Sequence, residues 1–473
     1  MKYRIAELKP YIRQVWRLSL PAILTQITSI LMQYIDSAMV GALGANATAS
    51  IGLVATSTWL FSGVTYALSA GFSVQVAHHI GGGSEEDARH VVRHGLIAAL
   101  LLSAVLCLAG IAISRPLPVW LGGEEAIRGD ASDYFLVFAL MVPFLQLNSL
   151  AASFLQCSGD ILTPSILNSV MCALDVVFNA LFIPRFGVLG AGIGTALACA
   201  AIALLMLWRC CVASPALHLR RERCAFDPKI IKRAIRLGTP LAIQEIAMNG
   251  AMVVSTAIIA PLGAVSIAAN SFAVTAESLC YMPGYGIGTA ATTLVGLSVG
   301  AGDEETARRY GRICTAMGAA IMGGAALVMC AICPLVFRIL TPDFAVRKLA
   351  AEVLRIVLLV EPLFGVSIVG AGALRGAGDT LVPSLMNLGS IWVIRIGLAL
   401  LLTPPLGLHG MWIAMASSCA SADCSCSIAA ARPVTMRRQR RMRMADAEGE
   451  KQPKFSRGLY KTPFGGYTIG VKR

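Results

Sequence analysis

Asp36 is a carboxylate inside a long apolar run, ITSILMQYIDSAMVGALG, which extends from residue 27 to residue 44. An ionised carboxylate surrounded by hydrocarbon is costly unless it is paired or hydrated. Asp36 is therefore expected either to face a wet cavity or to bind a proton, and both outcomes suit a residue that couples the movement of an ion to another process. The alternative is that Asp36 lies near the outer end of the span, where its side chain is simply hydrated or caps a loop.

A second polar pair lies in the apolar stretch LDVVFNALFI, where Asp175 and Asn179 are four residues apart. On a helix this spacing places both side chains on one face. The pair is a candidate partner for Asp36 in an ion-coupling site. It is also compatible with a plain Asp/Asn hydrogen bond that only stiffens the packing of two helices.

The second half of the chain has its own charged residues within apolar stretches. Three are carboxylates and one is a guanidinium: Glu245, Glu277, Glu361 and Arg395. From their distances to the ends of their runs, Glu277 and Glu361 are expected near the middle of the membrane. The four residues either form a site for a cation or a cationic drug, or the glutamates simply neutralise Arg395. Tyr66 and Tyr285 belong to a scattered set of aromatic residues and methionines that either line an adaptable pocket or only pack.

No pattern in the chain predicts an enzyme. A metal-hydrolase HExxH motif and a nucleophile constellation are both missing, and the 14 cysteines lack the spacing and histidine partners of a zinc site. The cysteines are expected to be packing residues within apolar helices. We therefore predict no catalytic residue, no metal and no cofactor other than a coupling ion.

The composition indicates what must position these charged residues. Hydrophobic residues make up 56% of the 473-residue chain and charged residues only 14%, a balance typical of polytopic membrane proteins. Every backbone polar group within a bilayer must be satisfied inside its own segment, so we predict an all-α helical bundle. The twelve expected spans lie near residues 14–42, 46–76, 92–114, 132–154, 162–184, 188–212, 236–260, 265–297, 312–336, 350–373, 381–403 and 408–430.

The chain repeats itself under one constant shift, which aligns its first half with its second. GGGSEEDAR at residues 81–89 aligns with GAGDEETAR at residues 300–308, and GDILTP at residues 159–164 aligns with GDTLVP at residues 378–383. Two halves of six spans each enter the membrane from the same side, which predicts a bilobed 6+6 bundle related by an axis along the membrane normal. The expected domains are a first lobe at 1–213, a cytoplasmic linker at 214–235, a second lobe at 236–430 and a basic tail at 431–473.

Basic residues predict the orientation in the membrane. The segment before the first span, the loop after the second span and the internal linker are all rich in Lys and Arg, whereas the loops near residues 43–47 and 260–265 contain neither. Because short basic loops remain in the cytoplasm, we expect both termini to be cytoplasmic. The sequence fits a multi-pass protein of a bacterial inner membrane.

Four stretches resemble the multidrug and toxic compound extrusion (MATE) family. They are MQYIDSAMVGALG in the first span, VAHHIGGGSEEDARH after the second, VGLSVGAGDEETARRYG after the eighth and GALRGAGDTLVPS after the tenth. Their positions in a duplicated chain make the resemblance specific over roughly residues 10–416. It implies antiport driven by protons or sodium that expels organic cations, with small molecules and membrane lipid as partners, no nucleic acid, and a monomeric state.

The resemblance also assigns roles to residues. The first-span aspartate of MATE proteins is a cation-coupling residue, and Asp36 matches it. Proton-coupled members commonly carry Asn before Asp in the fifth span, whereas this chain has the exchanged order Asp175 and Asn179. A lipid-linked oligosaccharide flippase of the same superfamily is the alternative; it would need a strongly basic cavity, but the charges within the spans are mostly acidic.

The acids of the seventh and tenth spans in sodium-coupled members do not carry over. The matching positions here are Met248 and Phe364, and Glu245 and Glu361 lie one turn away from them. The resemblance therefore supports a second-half cation site only approximately.

The twelfth span begins as GLHGMWIAMA and then loses its apolar character after Ser417. Residues 432–473 that follow carry 12 Lys and Arg against 3 Asp and Glu, so the tail either binds anionic lipid or is simply solvated.

We predict that this end of the chain is read in a shifted frame, which would impair expression or transport; genuine divergence or coincidence is the alternative. An inactive frame-shifted copy is thus a further alternative to an active exporter. Codons for residues 417–427 can be chosen so that a frame moved back by one base reads ELCVRGLLLL. This peptide is apolar apart from its charged residues and resembles the missing second half of a twelfth span. Sequencing the gene checks this prediction, and stop codons or polar residues in the alternative frame would contradict it.

Overall fold

The computed structural model of the chain describes residues 5–219, 226–341 and 343–431, and within these ranges it is helical and contains no β-strand. The first half consists of seven helices: α1 (Ile5–Gly41), α2 (Ala45–Gly81), α3 (Glu85–Ser114), the short α4 (Leu117–Trp120), α5 (Glu125–Cys157), α6 (Leu162–Phe186) and α7 (Val188–Trp208). The second half consists of eight: α8 (Pro228–Ile259), α9 (Ala264–Gly300), α10 (Glu304–Leu340), α11 (Phe344–Leu358), α12 (Glu361–Gly376), α13 (Leu381–Gly389), α14 (Gly397–Leu406) and α15 (Leu408–Ala431). The predicted all-α class is therefore confirmed.

Among the described residues, nine helices are long and apolar enough to cross a membrane, and the bent pair α11 and α12 would make a tenth span. The two remaining predicted spans coincide with α9 and α15. Helix α9 has 37 residues and is buried along most of its second half, where small and hydroxylated residues replace large aliphatic ones. The twelve-span arrangement agrees with the prediction, and the chain is a multi-pass membrane protein.

Two predicted spans are less regular than the sequence suggested. The tenth is broken between α11 and α12, whose axes differ by 56°. Pro362 lies at the first turn of α12, where its ring and missing N–H favour a helix start over continuation of α11. The eleventh span contains a π-helical turn, Ser390–Ile396, between α13 and α14.

The turns of the two halves have matching backbone geometry. Gly83 and Gly302, which align in the internal repeat, have φ angles of 76° and 77°. Gly187 and Gly407, which end α6 and α14, have φ angles of 58° and 60°. Left-handed conformations are favourable only for glycine, so the internal repeat preserves the turns as well as the spans.

Helices α1 and α8 connect the two halves. Helix α1 packs against α6 of its own half and against α9 of the other, and α8 packs against α2. The crossings are close because glycine lies at the contact points: a Cβ atom at Gly286 would lie 2.7 Å from the backbone N of Ile23, and one at Gly238 would lie 2.9 Å from the backbone O of Ala67. Small residues allow such approach within membranes.

A second glycine contact joins the halves near the basic loops, and we call Gly81 and Gly300 the glycine seam. A Cβ at Gly81 would overlap the carbonyl oxygen of Leu297, and a Cβ at Gly300 would overlap that of His78. These contacts are related by the internal repeat. Beside them, Nε2 of His78 lies 2.9 Å from the carbonyl oxygen of Gly376. The halves are therefore in direct contact at this end of the bundle.

The predicted twelfth span corresponds to α15, and its polar residues are hydrogen-bonded as far as Ser421. The Ser390 hydroxyl donates to the Ser418 carbonyl at 2.6 Å, and the Ser418 hydroxyl donates to the Ser390 carbonyl at 3.2 Å. The Ser421 hydroxyl donates to the Ser418 carbonyl at 2.9 Å. The side chains of residues 422–431 and the whole tail at 432–473 lie outside the described residues, so the frame-shift hypothesis stays a prediction.

Candidate functional site

Three polar side chains meet between α1 and α6. Asn179 donates through Nδ2 to Asp36 Oδ1 at 2.9 Å and to Asp175 Oδ2 at 3.2 Å. Asp175 and Asn179 are buried, whereas Asp36 is half-buried. Asp36 precedes the end of α1 by more than one turn, so it bonds across to another helix instead of capping a loop. We call these three residues the acidic cluster.

The two carboxyl groups of the acidic cluster are within hydrogen-bonding reach of each other. Such a contact is favourable only when one of the two groups carries a proton, because two adjacent carboxylates repel each other. Asp175 Oδ1 and Asn179 Oδ1 are buried and accept no hydrogen bond from the described residues. The cluster therefore has oxygen atoms able to accept a bond from a protonated carboxyl group.

Residues around the cluster hold it in place, and no pattern in the sequence singled them out. Tyr134 of α5 lies close enough to interact electrostatically with both aspartates, and it packs against the apolar group around Val40. The Cys172 thiol lies 3.5 Å from the carbonyl oxygen of Thr28 and 3.4 Å from the sulfur of Met32. Helix α1 is thus attached to α6 at two depths.

Gly194 of α7 leaves the space that Asn179 occupies. A Cβ at this position would overlap Asn179 Oδ1 and would lie 3.0 Å from its backbone N. Replacing Gly194 by alanine should displace the Asn179 amide, with a packing cost of about 1–3 kcal/mol, and should sharply reduce transport. The measurement is the transport rate in proteoliposomes together with the melting temperature.

The matched control is Gly389→Ala, because a Cβ at Gly389 meets no atom within 4 Å. The control gains the same helix propensity without the overlap. Equal transport by the two variants would contradict a role for Gly194 in positioning Asn179.

The charged residues predicted in the second half divide into two groups. Glu277 of α9 and Glu361 at the start of α12 are both 1% exposed and interact electrostatically with each other. The charge of Arg395 acts on Glu277, but no described ion pair joins Arg395 to either glutamate. Arg395 instead lies 3.0 Å from the sulfur of Met415.

Glu245 of α8 belongs to a different place, between the two halves. It packs on Gly63 of α2, where an added Cβ would lie 2.8 Å from Glu245 Cβ. The guanidinium of Arg375 acts electrostatically on the Glu245 carboxylate. Arg375 was not singled out from the sequence; it lies in the GALRGAGDT motif, in which the glycines are the recognisable feature.

Within the described part of the chain, no group of three or more His, Cys, Asp or Glu side chains has the arrangement of a metal site. The eleven described cysteines are free thiols, and six of them are buried. The chemistry of the acidic cluster is that of carboxyl and amide oxygens, which bind protons or hard cations.

Comparisons with known proteins agree with this architecture. The family model described as MatE matches the chain twice, at residues 21–181 and 240–401, in agreement with the internal repeat. The multidrug resistance protein NorM of Burkholderia vietnamiensis is 28% identical over 426 residues, which cover 86% of this chain and 90% of the relative.

Solved structures show the same fold. A MOP superfamily transporter from Pyrococcus furiosus superimposes with a TM-score of 0.85 at 20% identity, covering 93% of this chain and 97% of that one. The MATE transporter VcmN of Vibrio cholerae superimposes with a TM-score of 0.85 at 17% identity, covering 92% and 98%. Since the two family matches span more than half of its residues, the chain belongs to the MatE family of multidrug and toxic compound extrusion transporters.

Proposed function

We propose that this efflux transporter is an antiporter that exports organic cations in exchange for protons or sodium ions by alternating access. The observation that carries the proposal is the acidic cluster, in which Asp36 of α1 is bonded to Asn179 of α6 beside the buried Asp175. Adding or removing one positive charge changes the hydrogen bonding between two helices. An ion gradient can therefore do work on the position of α1.

The contact between the two carboxyl groups favours a proton as the coupling ion. A shared proton satisfies both groups, whereas a sodium ion of the same charge needs several more oxygen ligands. In this proposal Asp36 exchanges the proton because it is half-buried, and Asp175 lies buried beside it.

The direction of transport follows from the basic loops. Their Lys and Arg residues support a cytoplasmic location for the glycine seam and both termini, in a bacterial inner membrane. In this proposal the closed seam corresponds to an outward-facing state, and export requires a second conformation in which Gly81 and Gly300 separate. Glu277 and Glu361 add negative field in the second half, which favours cationic over anionic substrates.

Transport of ethidium into or out of proteoliposomes tests the proposal. A proton gradient and a sodium gradient are imposed separately, and ethidium movement is followed by its fluorescence on DNA enclosed in the vesicles. We expect movement against the direction of the coupling ion, faster with the proton gradient than in protein-free liposomes. Transport rates that respond to neither gradient would contradict antiport. A response to the sodium gradient alone would identify sodium, and not the proton, as the coupling ion.

A further inference from the structure

Four side chains lie near one another where the two halves meet, and we call this group the interlobe cleft: Tyr66 of α2, Glu245 of α8, Tyr285 of α9 and Arg375 of α12. Arg375 is hydrogen-bonded to Tyr66, and Glu245 packs on Gly63, one turn before Tyr66. The other three side chains all act electrostatically on Tyr285. Nevertheless 37% of Tyr285 and 42% of Tyr66 are exposed. The two tyrosines therefore remain accessible, while Glu245 and Arg375 are half-buried.

Glu245 is a carboxylate without a direct partner in this cleft. Among the described residues, no hydrogen bond or ion pair involves its side-chain oxygens, and the opposing charge that acts on it is Arg375. A half-buried carboxylate that is compensated only from a distance retains most of its attraction for another cation.

Arg375 is held beside Glu245 by the other half of the protein. Its guanidinium donates to the Tyr66 hydroxyl at 3.2 Å, while its Nε is buried and has no partner in the described part of the chain. The end of α12 that carries Arg375 contacts α2 again through Gly376 and His78. The arginine is thus a fixed positive charge with unused hydrogen-bonding capacity.

We propose that Arg375 is a tethered competitor of the cationic substrate for Glu245, at a site whose walls are the aromatic faces of Tyr66 and Tyr285. An organic cation entering the cleft would pair with the Glu245 carboxylate and make cation–π contacts with the rings of Tyr66 and Tyr285. It must overcome the field of Arg375, so neutral compounds and weak cations gain less. This inference rests on the proposed export of organic cations and names the residues that select them.

Equilibrium binding of ethidium to the full chain in nanodiscs, with no ion gradient, tests the inference. We expect Arg375→Gln to lower the Kd by about fivefold, because a repelling charge is removed from the site, and Glu245→Gln to raise it by a similar factor. Arg375→Lys keeps the charge and should leave the Kd near that of the unmodified protein. Arg308→Gln, at a surface ion pair with Glu304, controls for the change in net charge and should have no effect.

The decisive comparison is the double variant Glu245→Gln with Arg375→Gln. If the arginine competes for the glutamate, Arg375→Gln should improve binding much less once Glu245 is neutral, because only the direct repulsion of the cation remains to be relieved. An unchanged or raised Kd in the single variant Arg375→Gln, an equal improvement in the double variant, or no saturable ethidium binding would each overturn the inference.

Binding and transport separate the two proposals. If the binding variants do not behave as expected but export still depends on a gradient, antiport is supported and the role of the interlobe cleft is contradicted. If the binding variants behave as expected but ethidium transport responds to neither gradient, the cation site is supported and antiport is contradicted. Melting temperatures of all variants identify any that are simply unfolded.

Discussion

Replacement of Asp36 or Asp175 by asparagine is expected to reduce gradient-driven efflux to the rate of protein-free liposomes, with the protein still folded. Asparagine has nearly the same shape and can still accept a hydrogen bond from Asn179, but it cannot exchange a proton. The link between α1 and α6 would therefore persist regardless of the gradient. The measurement is ethidium transport in proteoliposomes under an imposed proton gradient.

Asp133→Asn is the matched control, because Asp133 is an exposed carboxylate on α5 in the same half. It should transport at the rate of the unmodified protein. Ethidium binding without a gradient should be retained by both cluster variants, since the acidic cluster lies apart from the interlobe cleft. Normal gradient-driven transport by Asp36→Asn would remove Asp36 from the mechanism.

Alanine at Gly81 or Gly300 is expected to force the glycine seam apart. Each added methyl group overlaps a carbonyl oxygen of the opposite half, at Leu297 or His78, and backbone atoms cannot move aside as a flexible side chain can. An overlap costing about 1–3 kcal/mol would shift the balance between closed and open seams by about fivefold to about 150-fold. Hydrogen exchange of the backbone amides in residues 78–84 and 297–303 should become faster in either variant.

The double variant gives a sharper test of the seam. One separation of the halves relieves both overlaps, so the second alanine should add much less than the first. Gly324→Ala, where an added Cβ meets no atom within 4 Å, should exchange like the unmodified protein. Additive effects, or faster exchange confined to the substituted helix, would indicate local damage and not an opened seam.

The duplicated helical bundle was predictable because its causes are local. Apolar runs of membrane length form helices wherever they occur, and the repeat that aligns residues 81–89 with residues 300–308 is visible without any contact being known. The shared face of Asp175 and Asn179 followed from helical spacing alone. Asp36 was recognisable because a carboxylate in an apolar run has few structural uses.

The contacts between distant helices were decided by the tertiary structure. Asp36 and Asn179 are far apart in the chain, and no local spacing indicates that α1 meets α6 at that depth. Gly194 could not be singled out among 45 glycines, because its role depends on the Asn179 amide packed against it. The charged residues of the second half all lie in apolar stretches and look alike in the sequence. The fold buries Glu277 and Glu361 but directs Glu245 toward the interlobe cleft. Helix formation depends on neighbours in the chain, whereas a site between helices depends on which surfaces pack together, and only the folded bundle determines that.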